Sequence, residues 1–158
     1  MRGGLYYLPL DEYVRRPRTD TIVVHCAETT AHEDYGAADI REWHTTGRGW
    51  KDIGYHYVVK RDGTVELGRP AWAIGAHVEG ENSHTIAVCL VGGGDGKGGW
   101  LDNFTAAQWA ALKALIPRIR AEFPGAKKVR GHRDYKTPKR CPSFDVREWC
   151  QREGIACE

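Results

Sequence analysis

The stretch HTIAVCLVGG, residues 84–93, is apolar at successive positions rather than at alternating ones. A strand with this pattern has both faces buried, as the central strands of a helix-covered sheet do. A second β-branched run, TIVVHC at 21–26, predicts another strand. The chain therefore needs a sheet in which at least one strand is central and shielded by other elements.

Strand and helix patterns alternate along the rest of the chain. GYHYVVKRDGTVEL (54–67) predicts a hairpin with its turn at the Asp-Gly pair, and KKVRGH (127–132) predicts a short strand. The predicted helices are GAADIREWHTTG (36–47), a segment from Thr105 to about residue 121 that opens with a capping box to Gln108, and SFDVREWCQREG (143–154). Interleaved strands and helices predict an α/β fold: a single domain with a central mixed β-sheet flanked by helices.

Size and composition limit the class of protein. The chain has 158 residues, 41% of them hydrophobic, and a mean hydropathy of -0.55, which is typical of one soluble domain. No apolar run is long enough to cross a bilayer, so we expect no membrane partner. The first twenty residues lack the continuous apolar stretch of a secretory signal. We therefore expect synthesis in a cytoplasm and another route to any target outside.

Positive charge is concentrated in one segment although the net charge is only +2. Between Lys127 and Arg140 there are seven Lys or Arg side chains and a single acid, Asp134. Such a segment is either a solvated loop surface or an attractive surface for an anionic partner, such as nucleic acid or a cell-wall polymer. Charge alone does not separate these interpretations.

The five cysteines form an odd set in a chain with no recognisable export signal, which favours free thiols or a metal site over a disulfide framework. We expect Cys150 and Cys157 to remain unpaired. His25 ends the first predicted strand, and His132 lies nine residues before Cys141. Two imidazoles and a thiolate suit Zn²⁺ and leave a fourth position for water, but buried structural histidines and an inert thiol remain an alternative on spacing alone.

Strand alternation predicts which neighbours of these residues face a common site. Successive side chains point to opposite faces, so if His25 faces the site, Cys26 packs away from it in the core. The same rule separates Tyr55 from His56, of which we expect only one to face a metal. His56 could orient a ligand or simply pack in a strand.

Several long blocks occur in the order typical of a known family. These are IVVHCAET, REWHTTGRGWKDIGYHYVVKRDGTVELGR, AIGAHVEGENSHTIAVCLVGG, FTAAQWAALKAL and CPSFD. Over about residues 19–150 the sequence resembles zinc-dependent N-acetylmuramoyl-L-alanine amidases of the short phage endolysin type, which are related to peptidoglycan recognition proteins. The resemblance implies a catalytic domain at 19–158, preceded by an N-terminal extension at 1–18 that matches nothing in the family.

Carried over by position, the resemblance implies one zinc ion bound by His25, His132 and Cys141. It also implies that Tyr55 and Lys139 assist catalysis, and that His77 contacts the muramyl-peptide from the wall of a groove. The basic residues around Cys141 are expected to favour its thiolate form. The implied reaction is hydrolysis of the amide between N-acetylmuramic acid and L-alanine of peptidoglycan.

Two other functions stay open at this point. Some proteins of this fold bind peptidoglycan without cleaving it, although they typically lack the cysteine ligand. One phage relative also binds its phage's RNA polymerase, so a polymerase-binding regulator is a further alternative. A glycosidase would need a carboxylate pair, which we do not find. We expect a monomer that resides in the host cytoplasm before lysis and then acts on the cell wall.

Overall fold

A five-stranded mixed sheet forms the centre of the protein, as the sequence predicts. The computed structural model describes residues 5–158. The strands are β1 (Thr21–Cys26), β2 (Tyr57–Val59), β3 (Val65–Leu67), β4 (Thr85–Leu90) and β5 (Lys128–Gly131). Their order is β3-β2-β4-β1-β5, in which only the β2–β3 hairpin is antiparallel. All six residues of β1 and of β4 are buried, because both strands lie between neighbours and beneath covering elements.

Three α-helices accompany the sheet: α1 (Ala37–Glu42), α2 (Ala106–Glu122) and α3 (Val146–Glu153). The α-helical part of the first is shorter than predicted, since residues Trp43–Gly47 form a π-helical turn. The capping box of α2 is confirmed: the Thr105 hydroxyl accepts from the Gln108 amide at 3.1 Å, and Gln108 Oε1 accepts from the Thr105 amide at 3.0 Å. The last helix ends at Gly154, whose φ of 69° suits glycine.

The main hydrophobic core lies between the sheet and helices α2 and α3. One face of α2 contributes Leu112, Leu115, Ile116 and Ile119, all nearly inaccessible to solvent, and these pack against apolar side chains of β1 and β4. Burying each such side chain stabilises the fold by roughly 1.5–3 kcal/mol. A smaller cluster on the other side packs α1 against β2 and β4.

The segment before residue 19 lies against the body of the domain. The Tyr13 hydroxyl donates to the buried carboxylate of Asp52 at 2.6 Å. The buried Arg16 guanidinium donates to the carbonyls of Ala71 and Ala73 at 2.8 and 2.7 Å. The described part of the predicted extension is therefore packed rather than projecting, whereas its residues 1–4 lie outside the described residues.

All five cysteines are free, including Cys150 and Cys157. Within residues 5–158, no helix combines the length and the apolar character needed to span a membrane.

Candidate active site

Three sequence-distant side chains meet at one edge of the sheet. The ligand atoms of His25, His132 and Cys141 all lie within 4.8 Å of one another, and this is the one such cluster of three in the part of the chain that is described. The Cys141 thiol is 3.9 Å from His25 Nδ1, and the ring centroids of His25 and His132 are 4.7 Å apart. This geometry is that of a site able to hold a metal ion.

The topology explains why the two histidines are neighbours. Strands β1 and β5 are parallel and paired, with Val24 opposite Gly131. His25 directly follows Val24 and His132 directly follows Gly131. Both therefore emerge at the same carboxyl edge of the sheet, where sites in open α/β sheets are usually built.

A loop between β5 and α3 brings the third side chain to the same place. The Cys141 carbonyl accepts from the Arg133 amide at 2.7 Å, and its thiol accepts from the Cys26 amide at 3.2 Å. The residue Cys141 is only 4% exposed to solvent. Both hydrogen bonds tie the loop to the ends of β5 and β1, which places the sulfur beside the imidazoles.

The expectation that Cys26 turns away from the site is wrong. Its amide and carbonyl lie 3.2 and 3.9 Å from the Cys141 thiol, its own thiol lies 3.8 Å from the Ser143 hydroxyl, and the residue lines the groove above the cluster. Cys26 ends β1, and the loop carrying Cys141 and Ser143 folds over that end. Strand alternation therefore predicts the direction of the β1 side chains correctly up to Val24, which packs in the main core, but not that of Cys26.

Burial determines the protonation of the three candidate ligands. It lowers the pKa of His25 well below the usual range, assisted by the nearby His77 and His132, and it lowers the pKa of His132 to about 4, assisted by Lys139. Both imidazoles are thus neutral and have a lone pair for a cation.

The expectation that basic neighbours hold Cys141 as a thiolate is wrong for the protein without an ion. Burial raises the pKa of the Cys141 thiol well above its usual range, and the contact with Cys26 adds to the effect. Lys139 and Arg140 are both exposed and do not offset the loss of solvation. A cation must therefore displace the thiol proton on binding.

Tyr55 faces the cluster, as expected for one member of the Tyr55–His56 pair. Its ring is 5.0 Å from that of His25, and desolvation raises the pKa of its hydroxyl well above 10, so the group is a proton donor at neutral pH. His56 points the other way, where its Nδ1 accepts from the Ala87 amide at 2.9 Å and its Nε2 donates to the Ala73 carbonyl at 2.7 Å. His56 is therefore a packed, buried residue directly before β2.

A close backbone approach positions the segment that carries Tyr55. A Cβ atom on Gly54 would lie 2.1 Å from the carbonyl oxygen of Ala76, so only glycine fits there. The Gly54 amide also donates to His44 Nδ1 at 3.0 Å. Tyr55 and His77 directly follow Gly54 and Ala76, and the ring of each lies 5.0 Å from that of His25.

The cluster lies in an open groove of about 860 Å³. Lys139 is on its rim, and His77 forms part of its wall, with Nδ1 of His77 2.9 Å from Nε2 of His25. The aromatic side chains in the wall are Trp43, Trp50, Tyr55, Trp100 and Tyr135. The sequence did not single out Trp100 or Tyr135, because an aromatic in a loop carries no periodic signal.

Comparison with known proteins gives this site its context. The sequence profile of the family described as N-acetylmuramoyl-L-alanine amidase matches residues 15–144, and the chain belongs to this family. The endolysins of Klebsiella phage KP32 and Escherichia phage T7 are each 45% identical to it over 144 residues, covering 91% of this chain and 93% of theirs. The protein is thus a peptidoglycan hydrolase of the phage endolysin type.

Solved structures confirm the fold. The N-acetylmuramoyl-L-alanine amidase LysC from Clostridium intestinale superposes with a TM-score of 0.76 at 24% identity, covering 95% of this chain and 93% of that one. At that identity the likeness shows the architecture, which agrees with the predicted central mixed sheet and flanking helices.

Proposed function

We propose that the protein is a zinc-dependent amidase that hydrolyses the bond between N-acetylmuramic acid and the L-alanine of the stem peptide. The observation that carries this proposal is the convergence of His25, His132 and Cys141 within 4.8 Å at the floor of an open groove. Two neutral imidazoles and one thiol form a donor set that suits Zn²⁺, and three protein ligands are the number found in catalytic rather than structural zinc sites.

The donor atoms fit one zinc ion by their chemistry. Both histidines are neutral at physiological pH, and the Cys141 sulfur already accepts a hydrogen bond from the Cys26 amide, which stabilises negative charge on it. When bound, Zn²⁺ supplies Lewis acidity that makes water an effective nucleophile near neutral pH.

Tyr55 and Lys139 supply charge and protons around the scissile carbonyl. The Tyr55 hydroxyl stays protonated because of its raised pKa, so it can donate a hydrogen bond to the oxygen that becomes negative in the transition state. The Lys139 ammonium lies on the rim of the same groove and adds positive charge there. Donors arranged in advance around a developing oxyanion typically accelerate acyl transfer by about 100- to 1,000-fold each.

The groove suits a glycan strand with its peptide. It measures about 860 Å³, the size of a ligand-binding cleft, and tryptophans stand on its walls, where their faces can stack on sugar rings. His77 remains our predicted contact to the muramyl-peptide. Glu28, Glu79 and Glu81 line the groove together with Arg48 and Lys136, so both charges of a zwitterionic stem peptide find partners.

The endolysin relatives support a proposed biological role. We propose that the enzyme is held in the host cytoplasm until another protein opens the inner membrane, and that it then degrades the cell wall as a monomer. Binding to a phage RNA polymerase stays a prediction, to be checked by pull-down with the polymerase and a transcription assay. A binding-only function is disfavoured because the complete ligand set, including Cys141, is assembled.

Digestion of purified sacculi tests the reaction and its metal dependence together. We expect soluble stem peptides with free L-alanine amino termini and intact glycan chains by mass spectrometry. A chelator should abolish the release, and Zn²⁺ should restore it. The matched protein control is Cys141→Ala, which removes one ligand and leaves the groove walls in place. New reducing ends, or cleavage that a chelator does not affect, would refute the proposal.

A further inference from the structure

The two ring nitrogens of His25 have different partners. Its Nδ1 faces Cys141, with the thiol 3.9 Å away, and its Nε2 lies 2.9 Å from Nδ1 of His77. The two rings are nearly perpendicular, at 83°. Only Nδ1 is therefore free for a cation, and it can serve only if the ring proton resides on Nε2.

The hydroxyl of Thr85 determines the direction of these hydrogen bonds. Its oxygen lies 2.8 Å from the Glu81 carbonyl oxygen and 3.1 Å from His77 Nε2. A carbonyl cannot donate, so the single hydroxyl proton of Thr85 goes to Glu81. The Thr85 oxygen must then accept from His77, which puts the His77 proton on Nε2.

The same reasoning extends from His77 to His25. A neutral histidine protonated on Nε2 has an acceptor at Nδ1, so His77 accepts a hydrogen bond from Nε2 of His25. This is the one arrangement in which the contacts of Glu81, Thr85, His77 and His25 are all hydrogen bonds. It leaves the Nδ1 lone pair of His25 directed at the cluster.

We propose that Thr85 and His77 are positioning residues, which hold His25 in the tautomer and orientation needed to bind the metal. This inference rests on the proposed zinc-dependent function and adds a task to His77 beyond contact with substrate. Hydrogen bonds of this kind to a ligating histidine fix its ring and raise its basicity, and their loss typically weakens metal binding by about 10- to 100-fold.

The fold holds both positioning residues in place without the metal. Thr85 begins β4, is fully buried, and pairs with Thr21 of the strand that carries His25. The backbone at His77 is fixed by Asn82, whose Oδ1 accepts from the amides of His77 and Val78 at 2.9 and 3.0 Å. The ring of His77 therefore meets His25 from a preorganised position rather than from a mobile loop.

Competition with a chromophoric chelator measures this effect as zinc affinity. We expect His77→Ala to bind Zn²⁺ about 10- to 100-fold more weakly than the wild type, and Thr85→Val several-fold more weakly. The conservative variants His77→Asn, which keeps an acceptor near the Nδ1 position, and Thr85→Ser should recover most of the affinity. The control is His84→Gln, because His84 is also partly buried and hydrogen-bonded, at 2.8 Å to Asp20, but lies outside the cluster.

The outcomes separate a positioning role from a purely structural or substrate-binding one. Circular dichroism and thermal unfolding establish that each variant is folded. A folded His77→Ala protein with zinc affinity within twofold of the wild type and a raised KM would overturn the inference and leave only a substrate contact. Equal losses in Thr85→Val and Thr85→Ser would also overturn it, since serine retains the hydroxyl.

Nuclear magnetic resonance tests the hydrogen-bond chain independently of activity. In the zinc-free protein, long-range ¹H–¹⁵N spectra should show the ring proton on Nε2 in both His25 and His77. A proton on Nδ1 of His25 would refute the proposed chain. If the wild type binds no zinc, the proposed function fails, and these spectra still decide whether Thr85 and His77 set the tautomer.

Discussion

The amide of Cys26 donates a 3.2 Å hydrogen bond to the thiol of Cys141. It joins the end of the central strand β1 to a loop more than a hundred residues further along the chain. The thiol is desolvated, and its pKa is raised by burial, so this donor is one of the few groups that can stabilise the anion once a cation replaces the proton.

Replacing a candidate ligand should remove both metal and activity. We expect Cys141→Ser and His132→Ala to reduce kcat/KM by at least about 1,000-fold. This loss exceeds the roughly 10- to 100-fold effect of removing a residue that only hydrogen-bonds to a metal ligand. Zinc content by atomic absorption should fall below one ion per chain in each variant. Full zinc content together with wild-type activity in either variant would exclude that residue as a ligand.

Removing the Tyr55 hydroxyl should affect the chemical step and leave the metal in place. We expect Tyr55→Phe to lower kcat by about 100-fold, with KM within about threefold of the wild type, because the lost donor acts on charge that develops in the transition state. Initial rates on a muramyl-peptide measure kcat and KM separately, and the zinc content of the variant is the control. An unchanged kcat would make Tyr55 a groove aromatic without a catalytic part.

The stability of the zinc-free protein should fall in mild acid, and His56 should account for part of the loss alongside the buried His25 and His132. Burial lowers the pKa of His56 to about 3 from its usual 6.5, and the charge of Arg16 contributes. The unfolded chain therefore binds a proton that the folded protein refuses between about pH 6.5 and 3. Stability is complete above pH 6.5 and declines as the pH falls through that window, by up to about 1.4 kcal/mol per unit for this group.

Urea unfolding at several pH values checks the contribution of His56. A His56→Gln variant should be less stable than the wild type at neutral pH and should show a shallower decline below pH 6.5. Parallel curves for the two proteins would contradict the assignment, because the difference between them would then be independent of protonation.

The N-terminal segment should stabilise the catalytic domain through Tyr13. Its hydroxyl bonds the buried Asp52 carboxylate, and hydrogen bonds to charged groups contribute about 1.5–3 kcal/mol. We expect Tyr13→Phe to lower the free energy of unfolding by that amount. Tyr7→Phe is the matched control, since Tyr7 is 45% exposed, and it should stay within about 0.5 kcal/mol of the wild type.

Local sequence patterns predicted the scaffold well because its elements are determined by neighbours in sequence. The consecutive apolar residues of β4, the Asp62-Gly63 turn and the Thr105–Gln108 cap each depend on a few adjacent positions, and each forms as expected. The length of α1 is not predicted correctly, because no local pattern marks Trp43–Gly47 as a π-helical turn.

The site was predictable in its members but not in its contacts. His25, His132 and Cys141 meet as the resemblance implied, yet the orientation of Cys26 and the raised pKa of Cys141 depend on a loop that folds over the end of β1. Likewise, no sequence pattern indicates that Thr85 reaches His77, because the two residues are joined by a turn whose path local residues do not specify.

The position of β1 has a consequence for how the enzyme fluctuates. Strand β1 is bonded on both edges, to β4 and to β5, and His25 itself pairs with Cys89 of β4, so we expect its main chain to open only together with the centre of the sheet. Its amide should rank among the slowest to exchange with deuterium, and the amides around the exposed Lys139 on the rim should exchange sooner. Local opening at the rim would then leave the strand that holds His25 in place.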